Sequence, residues 1–217
     1  MRRVLVFLFG FFFLASFCSN AQMTFFLIDN FEDGDYSRNP EWFSFDNVEL
    51  NTVKNSKEKG SVDFISDSCG LYSLSVKGRA KNWYVGGIGT NMSVNASDYS
   101  RLQIDVYGHD KFSGKVKIEL YEDDNNNNKL EQDSEKGWIP TKDDKWVAEV
   151  NILGKGFSRV SIPFSAFRDD NPKVGNNRWD PNTNGKSGGL LKCQIVFIGE
   201  SEKAPVDLRI DNILLTN

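Results

Sequence analysis

Two short alternating segments hold residue types that could do chemistry. In Leu102-Gln103-Ile104-Asp105-Val106-Tyr107 and Val116-Lys117-Ile118-Glu119-Leu120-Tyr121, apolar residues occupy every second position. If Leu102, Ile104, Val106, Val116, Ile118 and Leu120 face a core, then Asp105, Tyr107, Glu119 and Tyr121 share the opposite face, beside Gln103 and Lys117. Glu149 and Asn151 extend that face on a third strand. A surface mixing flat aromatics with carboxylates and amides suits a sugar, whose C–H faces stack on rings while its hydroxyls need paired donors and acceptors. The bland alternative is an ordinary solvated outer face. The five tryptophans favour binding, because three of them stand in Gly- or Asn-rich loop sequence; Trp83 and Trp138 join the candidate ligand-binding set. Trp146 belongs to the core by its alternation.

The same face carries paired carboxylates, so glycoside hydrolysis is a second reading. Retaining glycosidases hold two carboxyl groups about 5 Å apart. Glu119 and Glu149 on facing strands are the pair that could do it, although no signature separates them from surface charge. A small hydrolase or lyase on this scaffold is therefore the enzymatic alternative, and a cell-envelope structural or protein-interaction domain the third. The single histidine, His109, lies in Gly108-His109-Asp110, most simply a turn after a strand.

Cations are the other chemistry. The stretch Leu27-Ile28-Asp29-Asn30-Phe31-Glu32-Asp33-Gly34 reads as a short strand breaking into an acidic turn, and Leu208-Arg209-Ile210-Asp211-Asn212-Ile213-Leu214-Leu215 reads as its counterpart near the other end. If these strands are neighbours, Glu32 and Asp211 meet, and two carboxylates brought together need a cation. Calcium is the expected ion. A separate acidic segment, residues 122–135, places Asp124, Asn126, Asn128 and Glu135 at calcium-loop spacing. Lys129 stands where that loop wants glycine, so a long Asn-rich hairpin loop is the simpler reading.

The elements that must position these groups are strands. Alternation recurs in 71–78, 102–107, 116–121, 146–152 and 157–163, while 190–198 is apolar on both faces and so central. Residues 50–61 read as an exposed polar connection. Outside the first 21 residues no segment holds a convincing helical period, and roughly nine or ten short strands predict an all-β fold, a jelly-roll β-sandwich of two antiparallel sheets.

Residues 1–21 combine Arg2 and Arg3, an apolar Phe-rich run and a small-residue exit at Ser19-Asn20-Ala21, the pattern of a secretory signal peptide cleaved after Ala21. Residues 22–217 then form a single domain, secreted or held in the periplasm or cell envelope, with no membrane association after cleavage. Lys and Arg number 26 against 30 Asp and Glu, an acidic balance that argues against nucleic acid as a partner. Cys69 and Cys193 either form one disulfide or serve as small buried hydrophobes.

Ile28-Asp29-Asn30-Phe31-Glu32-Asp33-Gly34 with Trp42, the strand Ser73-Leu74-Ser75-Val76, the segment Val160-Ser161-Ile162-Pro163-Phe164-Ser165-Ala166-Phe167 and the closing Ile210-Asp211-Asn212-Ile213 together resemble galactose-binding-like jelly-roll modules. Among these the chain looks most like carbohydrate-binding modules of the family-11 type and their relatives. The resemblance implies a non-catalytic module that binds a polysaccharide or oligosaccharide on a concave sheet face, with a structural calcium near the termini. It matches Glu32 and Asp211 to the calcium ligands and adds Asp29 and Asp33 to the candidates. Such modules usually ride on a catalytic domain. Association with a separate carbohydrate-active enzyme is therefore expected of a module standing alone behind its signal peptide.

Overall fold

The computed structural model describes residues 24–55 and 70–217. The predicted signal peptide with its cleavage site, and Cys69, lie outside the described residues.

Among the described residues twelve strands run in order: β1 (Phe25–Asp29), β2 (Phe43–Asp46), β3 (Glu49–Lys54), β4 (Tyr72–Arg79), β5 (Tyr84–Val94), β6 (Arg101–Glu122), β7 (Gln132–Asp133), β8 (Ile139–Pro140), β9 (Lys145–Pro163), β10 (Arg168–Asp169), β11 (Leu190–Ile198) and β12 (Pro205–Thr216). Every pairing is antiparallel. Among the described residues the only helical turns are two short 3-10 segments, Ser134–Lys136 and Phe164–Ala166.

The organising unit is the long hairpin of β6 and β9, paired from Arg101↔Pro163 to Tyr121↔Lys145 with a register break between Asp110 and Gly114. Before the break β6 pairs with β12, and after it with β11. One sheet therefore runs β3, β4, β12, first half of β6, second half of β9, with β1 on the far end of β12. The other runs β2, β5, β11, second half of β6, first half of β9, β10. This is a jelly-roll β-sandwich, as the alternation predicted. Leu102, Ile104, Val106, Val116, Ile118 and Leu120 of β6 meet Leu208, Ile210, Ile195 and Phe197 in one core cluster. Period-2 alternation in both halves of β6 keeps one set of side chains inside the sandwich and turns the other outward.

Three expectations change. Leu102–Tyr107 and Val116–Tyr121 are one strand, not two, and His109 lies within it rather than in a turn; the Ser113 hydroxyl accepts the His109 N–H at 2.7 Å and carries the chain across the bulge. Trp146–Ile152 and Phe157–Pro163 likewise fuse into β9. Residues 50–54, read as part of an exposed connection, belong to the edge strand β3 (Glu49–Lys54). Its polar composition is what an unpaired edge tolerates.

Cys193 is a free thiol at the centre of β11, and burial pushes its pKa up to about 12. It serves here as a small core hydrophobe, one of the two roles open from the sequence.

Candidate functional site

The second half of β6 turns Lys117, Glu119 and Tyr121 to the outer face of its sheet, while Val116, Ile118 and Leu120 fill the core. β11 does the same with Lys192 and Gln194, which stand opposite Tyr121 and Glu119. β2 adds Phe43 and Phe45, whose rings lie across β5 at Gly89 and Gly87. A Cβ on Gly89 would come within 2.4 Å of the Phe43 ring, and one on Gly87 within 2.3 Å of the Phe45 ring. Glycine at these two positions lets the aromatics lie flat on the neighbouring strand. The segment 123–144 rises beside this face and presents Trp138; the β4–β5 turn presents Trp83. Together these residues bound an open cleft of about 1180 Å³.

The cleft has a polar floor and an aromatic rim. Glu119, buried, accepts the Tyr121 hydroxyl at 2.9 Å and the Gln194 amide at 2.7 Å, and pairs with Lys117 at 2.9 Å. Lys117 and Lys145 both reach Asp170, at 3.2 and 2.8 Å. Partial burial works to raise the Asp170 pKa, but the two ammoniums prevail and hold it below the usual carboxylate range. Lys192 is buried between two rings, its ammonium 5.0 Å from the Phe43 centroid and 4.9 Å from that of Tyr121, and burial lowers its pKa. Burial and the neighbouring Glu119 carboxylate raise the Tyr121 phenol above its ordinary value. Above this floor Trp83 and Trp138 are 56% and 65% exposed.

Four of the six predicted ligand residues, Glu119, Tyr121, Trp83 and Trp138, thus line one cleft. Tyr121 contributes a fixed floor hydroxyl rather than an open stacking face, because Lys192 covers its ring. Asp105 and Tyr107 stand on the other sheet. Asp105 is fully buried under Arg159, bidentate at 2.8 Å to both oxygens, and accepts the Asn212 amide at 3.0 Å. Tyr107 is buried edge-on against Phe157, with the Arg209 guanidinium 4.9 Å from its ring. The alternation that grouped them with Glu119 is correct along the strand, but β6 changes sheets between the two halves. Phe43, Lys192, Gln194 and Lys145 were missed. The signal was a glycine-punctuated strand beside Phe43-Ser44-Phe45, a pairing of small and flat residues.

The two carboxylates of the hydrolase reading are held apart by their surroundings. Glu149 stands opposite Lys117, outside the cleft lining, and pairs with Lys115 at 3.0 Å and Arg168 at 3.8 Å. Glu119 is saturated by Tyr121, Gln194 and Lys117.

The expected calcium ligands are distributed as follows. Asp29 spends both oxygens on protein donors, the Phe31 N–H and the Trp42 indole N–H, each at 2.7 Å, and burial raises its pKa to about 6. Asp33 closes a local turn by accepting the Asp35 N–H. Glu32 accepts the N–H groups of Leu71 and Tyr72. Asp211 is fully buried; its Oδ1 accepts the Asn212 N–H and its Oδ2 has no hydrogen-bond partner. Burial raises Asp211 to about 8, with Asp105 and Glu32 adding negative field. The orphaned buried Asp211 Oδ2 is the feature a cation ligand needs, with the Asn55 amide the nearby donor that offsets part of its burial, whereas both Asp29 oxygens are already taken by protein donors. The calcium-loop spacing at 124–135 does not converge: the Asn128 side chain accepts the Ser93 hydroxyl, and Asp124 turns inward to accept the Asp144 N–H at 2.6 Å.

No family model matches the chain, and no curated protein matches it. Solved structures that share its course include a family 11 carbohydrate-binding module from Clostridium thermocellum in complex with a beta-1,3-1,4-mixed-linked tetrasaccharide, at 17% identity and TM-score 0.49 over 88% of this chain and 94% of that one. The carbohydrate-binding and catalytic modules of an endo-1,4-beta-D-xylanase from Clostridium thermocellum, complexed with xylohexaose, match at 14% and 0.49, over 88% of this chain and 28% of that one. A family 27 module from Caldicellulosiruptor saccharolyticus in complex with mannohexaose matches at 14% and 0.46, over 89% of this chain and 97% of that one. At these identities and TM-scores, what this chain binds must be judged from its own residues.

Proposed function

We propose that the chain is an exported, non-catalytic carbohydrate-binding module that takes a polysaccharide in the cleft between Trp83 and Trp138. One observation carries the reading: two largely exposed indoles stand over a floor of fixed donors and acceptors in a single cleft. Indole faces suit the C–H faces of pyranose rings. The Glu119, Gln194, Lys117 and Lys145 network supplies hydrogen-bonding groups already oriented by one another, which lowers the ordering cost of binding. The mixed polar and aromatic lining is the composition expected where a ligand is both flat and hydroxylated.

Affinity electrophoresis against a panel of neutral and acidic polysaccharides tests this. Retardation on at least one glycan, lost in the Trp83→Ala/Trp138→Ala double variant, is expected; unchanged migration on every glycan would sink it. The hydrolase reading is separable, because it requires reducing-sugar release that Glu119→Gln abolishes. Association with a separate carbohydrate-active enzyme, and a structural calcium shared by Glu32 and Asp211, belong to the same proposal.

A further inference from the structure

Three carboxylates gather where β6 ends, and a fourth, Asp144 immediately before β9, lies beside one of them. Oxygens of Glu122, Asp124 and Asp180 lie within 4.8 Å of one another. Asp144 closes on Asp124 from the other side: its N–H donates to Asp124 Oδ2, and a Cβ on Gly175 would come within 2.2 Å of Asp144 Oδ1 and 2.4 Å of Asp124 Oδ2. Glycine at 175, with φ of +67°, is what lets the backbone approach both carboxylates.

The second observation is an unmet need inside this cluster. Asp144 is completely buried, yet neither of its carboxylate oxygens has a hydrogen-bond partner, and Asp124 Oδ1 is orphaned as well. The backbone N–H groups of Asn176 to Arg178 face Asp144, and that of Asn176 also faces Asp124, working against the burial that raises both pKa values, but none of them meets hydrogen-bond geometry at Asp144 Oδ1, Asp144 Oδ2 or Asp124 Oδ1. No lysine or arginine among the described residues pairs with any of the four carboxylates; Lys145, next in the chain, turns to Asp170 instead. Buried carboxylate oxygens left without donors are costly, and a cation is the group that satisfies several at once.

We propose that Glu122, Asp124 and Asp180 bind a calcium-class divalent cation, with the buried Asp144 carboxylate turning to it from beside Asp124, and that the ion staples together the two ends of the segment 123–144. All-oxygen, carboxylate-rich surroundings select a hard cation, and an irregular set of loop and strand-end ligands suits calcium better than the strict octahedron of magnesium. Glu122 is anchored for the role, its oxygens accepting the Trp146 indole N–H at 2.9 Å and the Asp180 N–H at 2.8 Å. Trp138 rides on the stapled segment, so occupancy fixes the loop that overhangs the cleft.

The indoles provide the assay. Trp146 touches Glu122, and Trp179 lies 5.8 Å from Trp146, so terbium used as a calcium surrogate should emit on tryptophan excitation. Chelator-stripped protein titrated with terbium chloride is expected to give sensitised emission that calcium chloride displaces. Asp180→Asn, at a half-buried position that should not disturb folding, and Asp144→Asn, a near-isosteric change, should each weaken apparent terbium affinity by about tenfold or more. Asp144→Asn should also raise the melting temperature in chelator. Absence of sensitised emission overturns the proposal. So does emission that survives both substitutions but disappears in Asp211→Asn, which would place the ion at the chain termini.

Discussion

Gln194 on β11 donates its side-chain amide to Glu119 on β6 at 2.7 Å, from the position directly opposite it in the sheet. Glu119 holds Tyr121 and Lys117 as well, so this single carboxylate organises the cleft floor. Replacing it with alanine leaves a phenol and an amide without their acceptor in a largely buried place and the Lys117 ammonium with Asp170 alone. Urea unfolding should show Glu119→Ala losing about 2–4 kcal/mol, since breaking a buried charged network leaves desolvated partners behind. Glu149→Ala should change stability by about 0.5 kcal/mol or less, because its ion pairs are solvent-exposed. Equal losses would mean that the floor network is not the cleft's structural support.

The rim is predicted to behave in the opposite way. Trp83 and Trp138 are mostly exposed, and removing either should leave the unfolding midpoint nearly unchanged while weakening glycan retardation about tenfold, or roughly 1–2 kcal/mol of ring contact. A variant that loses stability and binding together would identify the indole as a structural residue.

Much of this site was legible in the sequence because strand alternation is a local property. The outward turn of Glu119 and Tyr121, the core role of Trp146 and the loop positions of Trp83 and Trp138 all follow from neighbours a few residues away. The exclusion of Asp105 and Tyr107 from the cleft does not. It depends on which partner strand each half of β6 meets, a long-range choice made by β11 and β12 that alternation cannot encode. The same limit hid the acidic cluster: Glu122, Asp144 and Asp180 meet Asp124 through strand ends and a loop, at separations no motif spans. The calcium-loop spacing was a local pattern that long-range packing overrode when Asp124 turned toward Asp144.

Asp105 allows that boundary to be tested. Its bidentate pair with Arg159 is buried on the carboxylate side and partly exposed on the guanidinium side. Asp105→Asn should therefore cost about 1–3 kcal/mol in urea unfolding, the range for losing charge-assisted hydrogen bonds. Retardation by glycan should be unchanged at temperatures where the variant is folded. Lost binding in a fully folded Asp105→Asn protein would return this sheet to the candidate site.

The Asp170 carboxylate predicts an acid dependence. The Lys145 and Lys117 ammoniums hold its pKa below the usual carboxylate value in the folded protein, and Glu119 shares those cations. A depressed folded pKa means that the unfolded chain takes up the proton first as pH falls. Its contribution is therefore fully present above the unfolded pKa of about 4 and lost as pH drops through the lower folded value. Wild type should be more stable than Asp170→Asn by a constant margin from pH 7 to about pH 5, and the margin should close below about pH 4. A margin that persists into strong acid would assign the effect to packing.

The terminal carboxylates carry the remaining prediction. Glu32 holds Leu71 and Tyr72 through their N–H groups, so Glu32→Ala should destabilise the protein with or without metal and is a poor probe of ion binding. Asp211 is the better probe, because asparagine keeps an Oδ1 acceptor for the Asn212 N–H and the Asp211 Oδ2 has no hydrogen-bond partner of its own. If a calcium ion sits between Glu32 and Asp211, chelator should lower the melting temperature of wild type, and Asp211→Asn should reduce that drop without removing terbium emission near Trp146. Calcium bound by the wild type should then approach two ions per chain, falling to one in Asp211→Asn and to one in Asp180→Asn. A wild-type stoichiometry of one that Asp211→Asn leaves intact would remove the terminal site and leave the cluster at the end of β6 as the sole calcium position.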